Sequence, residues 1–356
     1  MTGVIILPFE RPIDQPPAPR HPLKSSPEPT RPPIALVAVD DGPRSTLEPL
    51  AGHWAVDLPE IERGEVELEQ YWREVFARAG TRLVVVGTSN SARGRRVESA
   101  ARHAAARIGL PIAAIEDYPG NFRELLDCPT RLLIVESAFS ERVYRARPAA
   151  PPPIAVIAPV RYDRRRGRAQ SAIVPQAPYA VLWAGQPETN ACIATLEWLL
   201  PQLAGLPAQL IFRAHPRDPA FGSGIYRELF ARAGIECLDV SAEPVETTLA
   251  RRLDLVVTQF SSVAVDAGFA GVPSLHVLLP HAGGGLLRRL KGYDIPAICD
   301  AGAAFLATGG PRDDILRVAL LDPSARKRVM ARFRSYYATD APTVQLVAAA
   351  LRDIML

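Results

Sequence analysis

One stretch, Asp254 to Leu278, restricts what this chain can fold into more than any other. Leu255, Val256 and Val257 form an unbroken apolar run, the pattern of a parallel strand buried on both faces. A polar turn from Gln259 to Ser262 follows, then a short helix, a Gly271-Val272-Pro273 break and a second apolar strand. A strand, a helix and a second strand in that spacing make a crossover unit, which places the chain in the α/β class. Ser261 and Ser262 open the helix, whose first-turn amides lack backbone partners. Hydroxyls, amides and a positive helix end together suit a phosphate. Serine is also a preferred cap, so these residues alone leave both readings open.

A second element lies upstream. Leu210-Ile211-Phe212 is a strand that ends in Arg213-Ala214-His215-Pro216-Arg217. Ligands of open parallel sheets bind beyond the carboxyl ends of the strands. Both turns follow strands, so an imidazole and guanidinium groups can face the serine-lined turn across one edge. A third strand, Tyr179 to Trp183, ends in Ala184-Gly185-Gln186, where Gly185 permits close backbone approach.

These motifs, from Ala180 to Pro280, resemble the C-terminal half of GT-B glycosyltransferases. They look most like the bacterial branch holding CDP-glycerol glycerophosphotransferases, polysialyltransferase-type and capsule transferases, whose architecture the NDP-sugar 2-epimerases share. The resemblance implies two Rossmann-like domains facing one another across a cleft. It implies that His215, Ser261 and Ser262 sit at the donor's phosphates and that Gly185 and Gln186 face the cleft; Arg213 and Arg217, which flank the His-Pro turn, would then neutralise the leaving phosphate. It further implies a nucleotide-activated sugar as substrate, a glycan or other hydroxyl acceptor, no separate cofactor and no metal. Two departures keep other activities open. Asp266 is followed by Ala267 and Gly268 where many relatives have a glutamate, and no lysine stands near the His-Pro turn. An NDP-sugar 2-epimerase or hydrolase, and a non-catalytic GT-B-like member of a glycan-assembly complex, are the alternatives.

The first half repeats the alternation of strand and helix. Strands at Ile34–Val39, Leu83–Val86, Pro111–Ile115, Leu132–Val135 and Ile154–Ile157 argue for a first Rossmann-like sheet. Glu116-Asp117 follows one of these strands. Paired carboxylates there are raw material for a general base acting on the acceptor hydroxyl, although Asp-Tyr-Pro-Gly is turn chemistry in its own right. Asp40-Asp41-Gly42 reads as a turn. Gly87-Thr88-Ser89-Asn90-Ser91 lacks the spacing of known phosphate loops and reads as a structural turn.

Composition bounds the rest. At 356 residues the chain is long for one core. A net charge of +3 is too small to argue for nucleic acid. Cys128, Cys192, Cys237 and Cys299 are far apart, which suggests neither a zinc motif nor a disulfide framework and fits a cytoplasmic location. The expected organisation is a proline-rich arm over 1–33, an acceptor domain over 34–160, a basic linker over 161–178, a donor domain over 179–340 and a C-terminal helix over 341–356 that crosses back. The run Arg161 to Arg168 is a solvated linker or a contact for an anionic membrane surface. Gly283-Gly284-Gly285 reads as a mobile loop over the cleft or an exposed connection.

Overall fold

The computed structural model describes residues 34–51, 65–163, 174–310, 314–339 and 341–355. The expected arm over 1–33 and Arg164 to Arg168 of the basic run lie outside them. The chain divides into two compact units. One ends at Arg161 and takes in the segment from Ala341, and the other runs from Tyr162 to Asp340.

The first unit is built on five parallel strands in sequence order: β1 (Ile34–Val37), β2 (Leu83–Val86), β3 (Ile112–Ile115), β4 (Leu132–Val135) and β5 (Ile154–Val156). All residues of β1 to β4 are buried, which is why their sequences are apolar without alternation. Around them run α1 (Asp41–Ala51), α2 (Glu65–Ala79), α3 (Ala92–Arg107) and α4 (Ala138–Arg145). One face of the sheet packs on Trp72 and Phe76 of α2, on Val97, Ala101 and Ala104 of α3, and on Tyr144 of α4. The other face packs on Leu47 and Leu50 of α1 and on Val347, Ala348 and Leu351 of the C-terminal helix Thr343–Asp353.

The Asp40–Gly42 stretch does not form a free-standing turn. Helix α1 starts at Asp41, with Arg44 N–H donating to Asp40 O at 3.0 Å. Ser45 and Thr46 hydroxyls also donate to Gly42 O, at 2.8 and 3.0 Å. Pro43 fits because first-turn amides need no helical partner.

The second unit holds six parallel strands: β6 (Tyr179–Ala184), β7 (Ala208–Arg213), β8 (Cys237–Asp239), β9 (Leu255–Thr258), β10 (Ser274–Val277) and β11 (Phe305–Ala307). Their spatial order is β11-β10-β9-β6-β7-β8. The chain builds outward from β6 to β8, then returns to the other side of β6 and builds outward again. The order therefore reverses between β6 and β9, where an open α/β sheet parts its crossovers and leaves a crevice. The helices are α5 (Thr189–Ala204), α6 (Ile225–Arg232), α7 (Val245–Leu249), α8 (Val263–Phe269), α9 (Gly283–Lys291), α10 (Ala297–Asp300), α11 (Ile315–Leu321) and α12 (Pro323–Tyr336).

Gly283-Gly284-Gly285 departs from its expected role as a mobile or exposed loop, because it is the first turn of α9. A Cβ on Gly283 would lie 2.8 Å from Val277 O, on Gly284 3.0 Å from Leu278 O, and on Gly285 2.7 Å from Pro280 O. The glycines let the helix fold back onto the exit of β10. Among the described residues, no helix is long and apolar enough to cross a membrane.

Candidate functional site

The registers of the second sheet bring three strand exits side by side. Ala184 of β6 pairs with Arg213 of β7 on one side and Thr258 of β9 on the other. The turns at Gly185, His215 and Ser261 therefore follow one another along a single edge. Neighbouring strands lie about 4.8 Å apart, so the β7 and β9 exits stand roughly 10 Å from each other with the β6 exit between them.

Gly185 keeps that middle position open. Its N–H donates to Arg213 O at 2.9 Å. A Cβ there would lie 3.4 Å from Arg213 O and from Trp183 Nε1, and 3.5 Å from His215 N. Trp183 is fully buried and, among the described residues, its indole N–H has no hydrogen-bond partner. An orphaned buried donor costs about 1 to 3 kcal/mol, so a polar occupant beside Gly185 would be stabilising. Gln186 is buried, with its N–H on Cys192 Sγ at 3.3 Å, and so ties the turn to α5.

His215 is half-buried, and its Nδ1 accepts from Arg217 N–H at 3.0 Å. An imidazole that accepts at Nδ1 presents Nε2–H as its donor. Arg217 is exposed. Arg213 is placed differently. Its Nη1 donates to the carbonyls of Val240 (3.1 Å) and Glu243, and burial holds the guanidinium below its ordinary pKa. The structure thus gives Arg213 the task of fixing the segment between β8 and α7, whereas the sequence suggested a phosphate contact. Neither Val240 nor Glu243 could be named as its partner from the sequence.

On the β9 side, Ser261 Oγ accepts from Val263 N–H at 3.3 Å, and Ser261 N–H donates to Thr258 Oγ1 at 3.3 Å. Ser262, the residue preceding α8, makes no side-chain capping bond. The turn is anchored from below. Gln259 donates to Ala191 O (2.7 Å) and Thr195 Oγ1 (2.8 Å), and its carbonyl meets His276 Nδ1 at 2.9 Å. Burial lowers the His276 pKa to about 4, so this imidazole is a neutral core group.

Three charged residues at this edge were not singled out in the sequence: Glu188, Arg289 and Lys291. Burial raises the half-buried Glu188, while Arg217, Arg289 and Lys291 act on it in the opposite sense. Arg289 and Lys291 come from the last turn of α9, an element that the three glycines concealed. Asp218, next to the His-Pro turn, is a buried anchor that accepts from the hydroxyls of Thr189 and Tyr226 and from Ala220 N–H at 2.9 Å.

The first unit gathers carboxyl groups at the corresponding edge of its own sheet. Asp117 is partly exposed. Its Oδ1 accepts from the Thr88 hydroxyl and from Asn121 Nδ2 at 3.0 Å, while Thr88 Oγ1 accepts from Asp117 N–H at 3.1 Å. Its other oxygen lies against Gly42, in the first turn of α1, where a carboxylate is favoured. Glu116 is 3% exposed, and its Oε1 accepts from the Tyr144 hydroxyl and from Gly120 N–H at 2.9 Å. Burial raises its pKa. Of the two carboxyls suggested by the sequence, Asp117 is therefore the accessible one, and Glu116 pins the turn beneath it. Glu136, after β4, is half-buried and raised to about 8, first by burial and then by Glu116.

No protein-family model matches the chain, and no curated protein does. Solved structures do. An S. aureus MnaA–UDP co-structure superposes with a TM-score of 0.52 at 13% identity, over 88% of this chain and 86% of that one. A UDP-forming α,α-trehalose-phosphate synthase from Burkholderia vietnamiensis gives 0.52 at 14% identity, over 87% and 83%. CalG4, the calicheamicin glycosyltransferase, gives 0.50 at 16% identity, over 91% and 100%. The fold is GT-B. In GT-B terms the second unit, with the strand order of a dinucleotide-binding sheet, carries the Gly185 and Ser261 exits at its reversal point and the His215 exit on the next strand.

Proposed function

We propose that this chain transfers a sugar, or a sugar-phosphate unit, from a nucleotide-activated donor to the hydroxyl of a glycan or other acceptor. The observation that carries this reading is the convergence of Gly185, His215 and Ser261-Ser262 where the strand order reverses. The donor's phosphates would lie over Gly185, with His215 Nε2–H on one side, the Ser261 and Ser262 hydroxyls on the other, and Arg217 at the rim. As the bond between sugar and phosphate breaks, the leaving phosphate takes the electron pair. Donors fixed in place favour that developing charge more than they favour the intact substrate. Asp117 would take the proton of the acceptor hydroxyl as its oxygen bonds to the sugar carbon. Gln186 and Arg213 position the turns and touch no substrate in this reading. In this reading Arg217, Arg289 and Lys291, which all act on Glu188 at the same edge, would offset the charge of the donor's phosphates.

Glu188 favours a second reading. A half-buried carboxyl with a raised pKa at the same edge suits a proton donor, as an NDP-sugar 2-epimerase or hydrolase would need. Incubating the full chain with a panel of nucleotide sugars, with and without hydroxyl acceptors, separates the two. Nucleotide release that depends on acceptor supports transfer, and consumption of donor without acceptor supports the second reading. Nucleotide binding without either reaction would identify a non-catalytic binding protein and refute both.

A further inference from the structure

The first unit carries a second cluster of reactive side chains, away from Asp117 and unused by the proposed reaction. The segment from Asn121 to Arg131 leads from β3 to β4 and passes along α3. His103 Nε2, on α3, stands 3.0 Å from Asp127 Oδ2. The Cys128 sulfur joins them, and the three potential ligand atoms all lie within 4.8 Å of one another. We propose that His103, Asp127 and Cys128 bind a zinc ion, with a fourth position taken by water.

The chemistry of the donor set selects the metal. Imidazole, thiolate and carboxylate together suit a borderline-soft cation, whereas calcium and magnesium take oxygen ligands. Zinc bonds of about 2.0 to 2.3 Å in tetrahedral array place ligand atoms roughly 3.3 to 3.7 Å apart. The separations here, 3.0 Å between His103 and Asp127 and at most 4.8 Å among the three, bracket that range. Cys128 is buried and held by a turn, its N–H donating to Leu125 O at 3.2 Å. The Asp127 side chain is 73% exposed and that of His103 34%, which gives the ion a way in and the water a place.

The local charges agree. The Asp127 carboxylate and the Cys128 thiolate would together balance the ion, and coordination displaces the thiol proton to solvent. Arg102 is the neighbouring cation, and Glu124 is its ion-pair partner. Its Nη2 lies 3.0 Å from Glu124 Oε1 and donates to Thr130 Oγ1 at 2.9 Å, while Nη1 donates to Arg123 O at 2.8 Å. The cysteine spacing gave no zinc motif because the ligands come from two elements and only one of them is a cysteine. Bound zinc would fasten α3 to the β3–β4 connection.

The test is cobalt(II) titration of the reduced, chelator-treated full chain, with zinc as competitor. A thiolate-to-cobalt charge-transfer band with tetrahedral visible bands is expected, together with a zinc-dependent rise in melting temperature. Cys128→Ser should abolish the charge-transfer band. His103→Ala and Asp127→Asn alter side chains that reach solvent and should weaken zinc binding by at least about tenfold without unfolding the chain. Cys237→Ser should change nothing. A missing band, a band that survives Cys128→Ser or vanishes with Cys237→Ser, or equal zinc affinity in wild type and His103→Ala would each overturn the proposal and leave His103–Asp127 as an ion pair.

Discussion

Replacing Glu98 with Gln should flatten the pH dependence of stability. Glu98 is 6% exposed on α3, and both Ser89 N–H (2.9 Å) and the Ser89 hydroxyl donate to its carboxyl. Burial pushes its pKa from 4.5 to about 8. The Ser89 bonds oppose that rise, and Asp117 and Asp40 add to it. A carboxyl raised in the fold keeps its proton where the unfolded chain has lost it. Its contribution is therefore complete below about pH 4.5 and is lost as the pH rises through about 8. At about 1.4 kcal/mol per unit, ionising Glu98 should remove about 3 to 5 kcal/mol between pH 5 and 9. Urea denaturation of wild type and Glu98→Gln at pH 5 and 9 measures this as a difference of differences. Glu136 and the other titrating groups are present in both proteins and cancel. The variant should lose less stability than wild type by about that amount. Equal losses in the two proteins would refute the assignment of a protonated Glu98 beneath the edge.

Three further outcomes are expected. Gly283→Ala should destabilise the chain by about 1 to 3 kcal/mol in urea denaturation, because its Cβ would meet Val277 O at 2.8 Å. Arg213→Ala should cost about 1 to 3 kcal/mol by stranding the carbonyls of Val240 and Glu243, while leaving nucleotide affinity in calorimetry nearly unchanged in the folded protein. Asp117→Asn should spare nucleotide binding and lower turnover about a hundredfold or more, measured as acceptor-dependent nucleotide release.

The strands were legible because both faces of each central strand are covered, which makes Leu83–Val86 and Leu255–Val257 continuously apolar in the sequence. The candidate edge was legible for the same reason, since Gly185, His215 and Ser261 follow such runs directly. His276 stands inside an apolar strand of the sequence, the position of a core group, and it is buried and neutral. What escaped depended on contacts distant in sequence. Helix α9 was hidden because three glycines have low helix propensity, and only the carbonyls at the β10 exit explain them. Arg289 and Lys291 were hidden with it. The engagement of Arg213 rests on carbonyls 27 and 30 residues away. Glu98 gave no signal either, because a glutamate in a helix ordinarily faces water and only the Ser89 turn folds over this one.

The central claim is that phosphate binds over Gly185, between His215 and the serine pair. Calorimetric titration of nucleoside diphosphates into the full chain tests it most directly, run on wild type, His215→Ala, Ser262→Ala and Gly185→Ala. A Cβ at Gly185 meets its neighbours at 3.4 to 3.5 Å, ordinary contact distances, so that variant should fold while its methyl group occupies the binding position. Loss of one charge-assisted hydrogen bond costs about 1.5 to 3 kcal/mol, so His215→Ala and Ser262→Ala should each bind about ten- to a hundredfold more weakly, and Gly185→Ala should also bind more weakly because its methyl group excludes the phosphate, all at an unchanged melting temperature. Affinity unchanged from wild type in all three would contradict the claim and leave these residues as ordinary turn residues at the edge of the sheet.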